Sequence, residues 1–402
     1  MTRQQEDAVT PEADAGQPRR RTPWANIVLV VASLLFAVLL AEVGARVYGA
    51  VADIGPRSAF DYRLTRPPPY EHSPYFSESF VREQYRQPGG YHTAAGSDFL
   101  VPHDFHGRFY NVDNGIRRTT GQPRGPRQTV LLFGGSTIYN AEVPDDLTAA
   151  SSLQRLLERE FPGTYRVVNY GVDSANARQQ LQRLKTVDIA PGDLVVFYDG
   201  DNEAYGGVYL NNPSGTIYQS QRRSYERSGP LGKLVYRLNA QLRKRSYLVR
   251  KFLTPPPELP SHVGQQPVAQ QLAQETARVY EEALREAAAF SAAKGARFAH
   301  FLQPNLFTAP SLTNYEATLV DNEYLVFPGV KEAVRLSYPL LQATVAKLRS
   351  EGVTSSDLSS LDPHPPGREV YLDFAHVNEE GNAKIAEAIF AGVRPLLSPP
   401  TS

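Results

Sequence analysis

Leu131-Leu132-Phe133-Gly134-Gly135-Ser136-Thr137 is an apolar, strand-like run that stops abruptly at two glycines and a serine. Glycine accepts the sharp turn that ends a buried strand and leaves room for a ligand to approach the backbone. A serine hydroxyl held at such a strand end can attack a carbonyl, whereas one inside the core has no such use. Gly-Gly-Ser is also ordinary loop composition, so the motif takes its weight from what stands around it.

Downstream, short apolar runs alternate with helical periodicity. Val130–Phe133 reads as the first strand, and Arg166–Tyr170 as a second, ended by Gly171. Asp193–Tyr198 is a third and Arg297–Leu302 a fourth. After the first strand, Leu153, Leu156, Leu157 and Phe161 recur on one helical face, with Asp145 or Asp146 placed to cap it. Further helices are expected through Leu181 and Leu184, over Gln270–Lys294 and over Val330–Ser350. A last one follows Asn378, with Ile385, Ile389 and Val393 on one face and Glu379 and Glu380 at its positive end. This alternation predicts an α/β fold, a three-layer α/β/α sandwich with a mostly parallel, flavodoxin-like sheet. Such sheets bind ligands beyond the carboxyl ends of their strands.

An insertion at about residues 204–268 separates the third strand from the long helix. It holds Leu231, Leu234, Val235, Leu238 and Leu242 at helical spacing, followed by Arg243, Lys244, Arg245, Arg250 and Lys251. A solvated helix face is the first reading. Contact with an anionic lipid surface or polymer is the functional alternative.

Bulk composition excludes several classes. Of 402 residues, 42 are Lys or Arg and 42 are Asp or Glu, so no global field favours nucleic acid. Cysteine is absent, which removes disulfides, thiolate metal sites and a thiol nucleophile together. Trp24 to Ala41 is 18 residues without a charge. As a helix it extends about 27 Å, close to a hydrocarbon core of about 30 Å. Arg19, Arg20 and Arg21 precede it, which favours an amino terminus in the cytoplasm and the remainder outside. A cleaved signal peptide ending near Ala50-Val51-Ala52 competes with this anchor, as does a buried core helix; the first needs a small-residue site far past a long apolar run. The expected organisation is a polar, disordered cytoplasmic tail over residues 1–22, a transmembrane anchor over 23–45, a juxtamembrane segment over 46–126 and an α/β domain over 127–398. Within the juxtamembrane segment, rich in proline, tyrosine and histidine without helical periodicity, short strands are expected around Gly107–Asn111.

Four short blocks then stand in order, each at a strand end or in the final loop: Ser136 after the first strand, Gly171 after the second, Gly200-Asp201-Asn202-Glu203 after the third, and Asp373-Phe374-Ala375-His376 before the last helix. Ester hydrolysis needs a nucleophile, a base, a group that orients the base, and donors for the oxyanion. Ser136 supplies the hydroxyl, His376 can take and return its proton, and Asp373 can hold the imidazole. The N–H groups of Ser136 and Gly171 and the amide of Asn202 are candidate oxyanion donors, each worth roughly 3–4 kcal/mol when well aimed.

Order, spacing and context together resemble the SGNH hydrolase superfamily, also called GDSL esterases and lipases, across about residues 127–397. The resemblance implies the same roles at these positions and needs no cofactor. Two departures stand out: Gly134-Gly135-Ser136 where Gly-Asp-Ser is expected, and Glu203 where Asp is usual. Asp199, Asp201 and Glu203 alternate, yet three carboxylates without a ligand loop are poor grounds for a cation, so no metal is expected.

The leading expectation is a single-pass protein of the cytoplasmic membrane with an extracytoplasmic serine esterase domain. Anchored bacterial members of the superfamily point to acyl esters of surface polysaccharide, peptidoglycan or lipid as substrate. Acyl transfer to a sugar hydroxyl is a close variant, and an anchored glycan-binding or scaffolding module is the reading from another class. Nothing in the residues fixes the oligomeric state.

Overall fold

The computed structural model describes residues 23–52, 55–56, 58–86, 90–94, 97–126, 128–215, 227–253 and 258–397. The tail expected over residues 1–22 lies outside them. The chain forms two compact units.

The first unit holds helix α1 (Pro23–Val51) together with Leu242–Leu253. Helix α1 is 29 residues long and runs past the expected end at 45. Its charged residues do not break it, because Glu42 and Arg46 pair across one turn at 2.7 Å. The most apolar 18-residue stretch within Trp24–Val51 has a mean hydropathy of 2.7, and the helix is long and apolar enough to cross a membrane.

The second unit begins at Gly55. Its elements in chain order are α2 (Ala59–Leu64), α3 (Glu78–Arg86), β1 (Tyr91–Thr93), β2 (Leu100–Pro102), β3 (Phe105–His106), β4 (Asn111–Asp113), β5 (Ile116–Arg117), β6 (Gln128–Gly134), α4 (Ser136–Tyr139), α5 (Ala149–Glu160), β7 (Tyr165–Asn169), α6 (Ala177–Leu184), β8 (Leu194–Asp199) and α7 (Asp201–Ala204). Then follow α8 (Pro230–Arg245), whose residues from Leu242 on belong to the first unit, α9 (Gln266–Ala293), β9 (Arg297–Leu302), α10 (Asn314–Val320), α11 (Val330–Ser350), β10 (Ser355–Asp357) and α12 (Glu379–Val393).

The main sheet has the order β10-β9-β8-β6-β7-β5-β4-β3. Strands β10 to β7 are parallel and carry the flavodoxin-like order. Alternate residues of each strand face opposite layers. Leu131, Phe133, Val195 and Phe197 pack with α6, α9 and α11, while Val130, Leu132, Val196 and Tyr198 pack with α5 and α12. Both faces are therefore covered, as the near-continuous apolar strands require.

The amino-terminal side departs from expectation. The sheet is mixed, because β5, β4 and β3 extend it antiparallel beyond β7, Arg117 standing opposite Asn169. The segment expected to be juxtamembrane is thus built into the sheet and adds helices α2 and α3 as well. Gly107–Tyr110 is the bend between β3 and β4 rather than a strand. The N–H groups of Arg108, Phe109 and Tyr110 donate to the Glu83 carboxylate, so they have no ladder to join. The cap of α5 also differs. Thr148 accepts the Ser151 N–H at 3.1 Å, and Asp145 instead receives Nε of Arg117 at 2.8 Å.

Candidate active site

Strand β6 ends at Gly134, and Ser136 is the first residue of α4, where a backbone N–H has no partner within the helix. The turn between them depends on a close approach. A Cβ at Gly135 would stand 2.2 Å from Nδ2 of Asn202. Gly-Gly-Ser replaces the expected Gly-Asp-Ser here because the Asn202 amide fills the space a side chain would take. Helix α4 is held at its other end by Arg117, fully buried, which donates to the carbonyls of Tyr139, Asn140 and Val143. This satisfies acceptors that a short helix leaves open.

Asp373 and His376 lie on a loop closed by the Tyr371–Val377 bridge and by the Leu372 N–H donating to the His376 carbonyl at 2.8 Å. Asn378, immediately after, caps α12 through the N–H groups of Glu380 and Gly381. Asp373 Oδ1 accepts the N–H groups of Ala375 and His376 at 3.0 and 2.9 Å, which fixes the carboxylate. His376 Nδ1 lies 2.8 Å from each Asp373 oxygen, and His376 Nε2 lies 2.8 Å from Ser136 Oγ. With Nδ1–H donating to the carboxylate, Nε2 faces the serine as an acceptor. A serine thus meets a histidine 240 residues further along the chain, with its aspartate, at one rim of the sheet.

Burial disfavours charge on both Asp373 and His376, and the charged groups around them oppose that penalty. The His376 imidazolium and Arg63 guanidinium hold the Asp373 carboxyl well below the usual carboxylate range. Burial alone would lower His376, but the Asp373 and Glu142 carboxylates outweigh it and raise the imidazole, while Arg63 pulls the other way.

The expected oxyanion donors divide. The Asn202 amide lies against Gly135, the residue before Ser136, and spends one N–H on the Ala175 carbonyl at 2.9 Å. Gly171 does not join them. Its N–H donates to Asn169 Oδ1 at 2.9 Å, and a Cβ there would stand 2.4 Å from the Tyr139 nitrogen. It is glycine so that β7 can pack against α4. The turn that does reach Asn202 is Val172–Ala175, which includes Ser174 at φ 64°.

Glu203, longer than the expected Asp, spans two backbone donors: Oε1 accepts the Ala177 N–H at 2.6 Å and Oε2 the Gly200 N–H at 2.8 Å. Asp201 accepts from Asn305 at 2.8 Å, from Tyr338 at 2.6 Å and from Gln303, which in turn takes the Thr137 hydroxyl. Burial pushes the Asp201 carboxyl up to about 7. Asp199 turns instead to His300 at 3.0 Å. The three alternating carboxylates therefore serve three separate hydrogen-bond sets, and among the described residues no group of three or more His, Asp or Glu has a metal-holding arrangement.

Arg63 and Glu142 escaped the sequence reading. Arg63 of α2, 4 % exposed, donates to Glu142 at 3.0 Å and to Asp373 Oδ2 at 3.4 Å. Tyr70 and Tyr110 donate to the carbonyls of Glu142 and Ala141. The available signal was aromatic density: Phe60, Tyr62, Tyr70, Tyr75, Phe76 and Phe80 are too many large rings for a solvated connector.

No protein-family model matches the chain, and no curated protein matches it. Solved structures similar to it include a member of the lipolytic G-D-S-L family from Veillonella parvula, at 11 % identity and a TM-score of 0.34, covering 67 % of this chain and 98 % of the other. An inhibitor-bound aryl esterase of M. smegmatis is similar at 14 % identity and a TM-score of 0.35, covering 67 % and 100 %. A GDSL-like lipase from Bacteroides thetaiotaomicron is similar at 11 % identity and a TM-score of 0.35, covering 69 % and 93 %.

Proposed function

We propose that this chain is a serine esterase of the SGNH type, held at the cytoplasmic membrane by α1 with its hydrolase unit outside, and that it acts on acyl esters of a surface polysaccharide, peptidoglycan or lipid. The observation that carries the reading is the continuous line of hydrogen bonds from Ser136 Oγ through His376 to Asp373, 2.8 Å at each step. In this mechanism Ser136 Oγ attacks the ester carbonyl while Nε2 of His376 takes its proton. Asp373 stabilises the resulting imidazolium without itself becoming protonated. Ser136 N–H and the second N–H of the Asn202 amide receive the oxyanion. His376 returns the proton to the leaving alcohol, and water, activated by the same imidazole, releases the acyl group. A sugar hydroxyl in place of that water gives acyl transfer from the same acyl-serine.

Labelling of the detergent-solubilised chain with a fluorophosphonate tests the assignment. Labelling is expected in the natural protein and lost in Ser136→Ala. Persistence in that variant would remove Ser136 as nucleophile, and absence from well-folded natural protein would favour a glycan-binding module. For topology, protease outside spheroplasts is expected to reach the hydrolase unit and spare the amino terminus.

A further inference from the structure

From Arg227 to Pro257 the sequence contains eight Lys and Arg residues and no Asp or Glu, in a chain whose charges otherwise balance. Helix α8 places Leu231, Leu234, Val235, Leu238 and Leu242 on one side, and each of these side chains is half or more exposed. Lys233 and Arg237 fall on the opposite side of the helix. A continuous apolar stripe of this kind marks a surface that something covers. A neutral apolar partner makes no use of the excess of positive charge in this segment, and an acidic polymer makes none of the stripe. A bilayer surface with anionic headgroups accounts for both.

The end of α8 supplies a second argument. Glu42 on α1 accepts the Ser246 hydroxyl at 2.8 Å and the N–H groups of Tyr247 and Leu248 at 2.7 and 3.0 Å. Tyr247 lies so close to Gly49 that a Cβ there would stand 2.2 Å from its hydroxyl, and Phe252 packs 6.0 Å from Tyr48. Arg46 lies over the Tyr247 ring at 5.5 Å. Aromatic rings interleaved with Arg and Lys are the composition that settles at the level of lipid headgroups. Trp24 and this collar stand about 36 Å apart along α1, counting about 1.5 Å per residue, enough for a hydrocarbon core with an interface at each end.

We propose that α8 is a membrane-surface helix, its leucine stripe seated among the headgroups of a bilayer that carries anionic lipid. The inference goes beyond the ester chemistry, and Ser136→Ala must show it unchanged.

The chain has no cysteine, so full-length variants Leu234→Cys, Leu238→Cys, Lys233→Cys and Arg237→Cys each accept one spin label. Reconstituted into phosphatidylcholine vesicles containing phosphatidylglycerol, labels at 234 and 238 are expected to be reached by oxygen and shielded from a water-soluble nickel chelate. Labels at 233 and 237 show the reverse. Combining Arg237→Gln with Arg245→Gln weakens the seated state about fivefold per charge removed, read as recovered chelate access at 234. Equal chelate access at all four positions would overturn the proposal, as would the same pattern in pure phosphatidylcholine at high salt. Shielding that disappears as protein is diluted into lipid would assign the stripe to a second copy. Shielding that appears only with a soluble acidic polysaccharide would assign it to a glycan.

Discussion

Two serine–histidine–carboxylate clusters sit on the same sheet. At the rim, Ser136, His376 and Asp373 are linked at 2.8 Å throughout. Inside, between the sheet and α9, His300 Nδ1 lies 2.8 Å from Ser355 Oγ and His300 Nε2 lies 3.0 Å from Asp199 Oδ1 and 2.7 Å from the Tyr280 hydroxyl. Composition and distances barely separate them. Position does. The rim histidine keeps 20 % of its side chain exposed, whereas His300 and Asp199 keep none. Ser136 opens a helix beside the Asn202 amide, whereas Ser355 stands opposite His300 in a parallel ladder that alone sets their approach. The inner cluster is what a sheet does with polar side chains it has buried: they bond to one another. A triad becomes a catalyst only where substrate can arrive and where donors await the oxyanion.

If that contrast holds, the two serines answer very differently to the same change. Ser136→Ala is expected to cut kcat/KM on an activated acetate ester by about 10⁶-fold while leaving the thermal unfolding midpoint close to that of the natural protein. Comparable losses from Ser355→Ala would erase the distinction. Next in size is Asn202→Ala, which removes a donor found only at the rim. Turnover should fall by about 10²–10³-fold, with folding intact by circular dichroism. Unchanged turnover would take Asn202 out of the oxyanion site.

The contrast also explains what could be read from sequence. The parallel strands, α9, α11 and α12 were legible because apolar periodicity is a local signal, and Arg297–Leu302, Val330–Ser350 and the Asn378 cap stand where it places them. Ser136, Asn202, Asp373 and His376 were legible because each sits at a strand end or a cap, where short motifs carry positional meaning. Gly171 stands apart from the other expected donors, because a glycine needed for close packing looks the same in sequence as one that frees an N–H. Arg63 was invisible for another reason. Its partners, Glu142 and Asp373, lie 79 and 310 residues away, and no local pattern encodes a buried pair of that span.

Those buried neighbours give the rim a pH signature. In the proposed mechanism His376 must be neutral to accept the serine proton, so the acidic limb of kcat/KM is expected to follow its deprotonation. The Glu142 carboxylate raises the imidazole and the Arg63 guanidinium lowers it. Glu142→Gln removes a negative charge, makes the imidazolium less favourable and should move the acidic limb to lower pH. Arg63→Gln removes a positive charge and should move it to higher pH. Each also breaks a buried pair and should cost about 3–5 kcal/mol of stability, so profiles are compared below the variants' unfolding temperatures. Shifts of the same sign in both variants would show that the pair acts on shape rather than on charge.

The smallest effect on rate tests the comparison most closely. Ser355→Ala removes the hydroxyl from His300 Nδ1 in a site that is 0–3 % exposed, with no solvent to replace the lost partner. The stability cost is expected to be about 1–3 kcal/mol, the penalty for leaving one buried polar group unmatched. Because Asp199 and Tyr280 still hold Nε2, the ring should keep its place and the Asp199–Gly200 strand end should not move. Esterase turnover and fluorophosphonate labelling should therefore match those of the natural protein at temperatures where both are folded. A fall in kcat without a change in KM would mean that the inner cluster is mechanically coupled to the rim through Asp199, Gly200 and the Asn202 that follows them. The two clusters would then be one device rather than a catalyst and its structural counterpart.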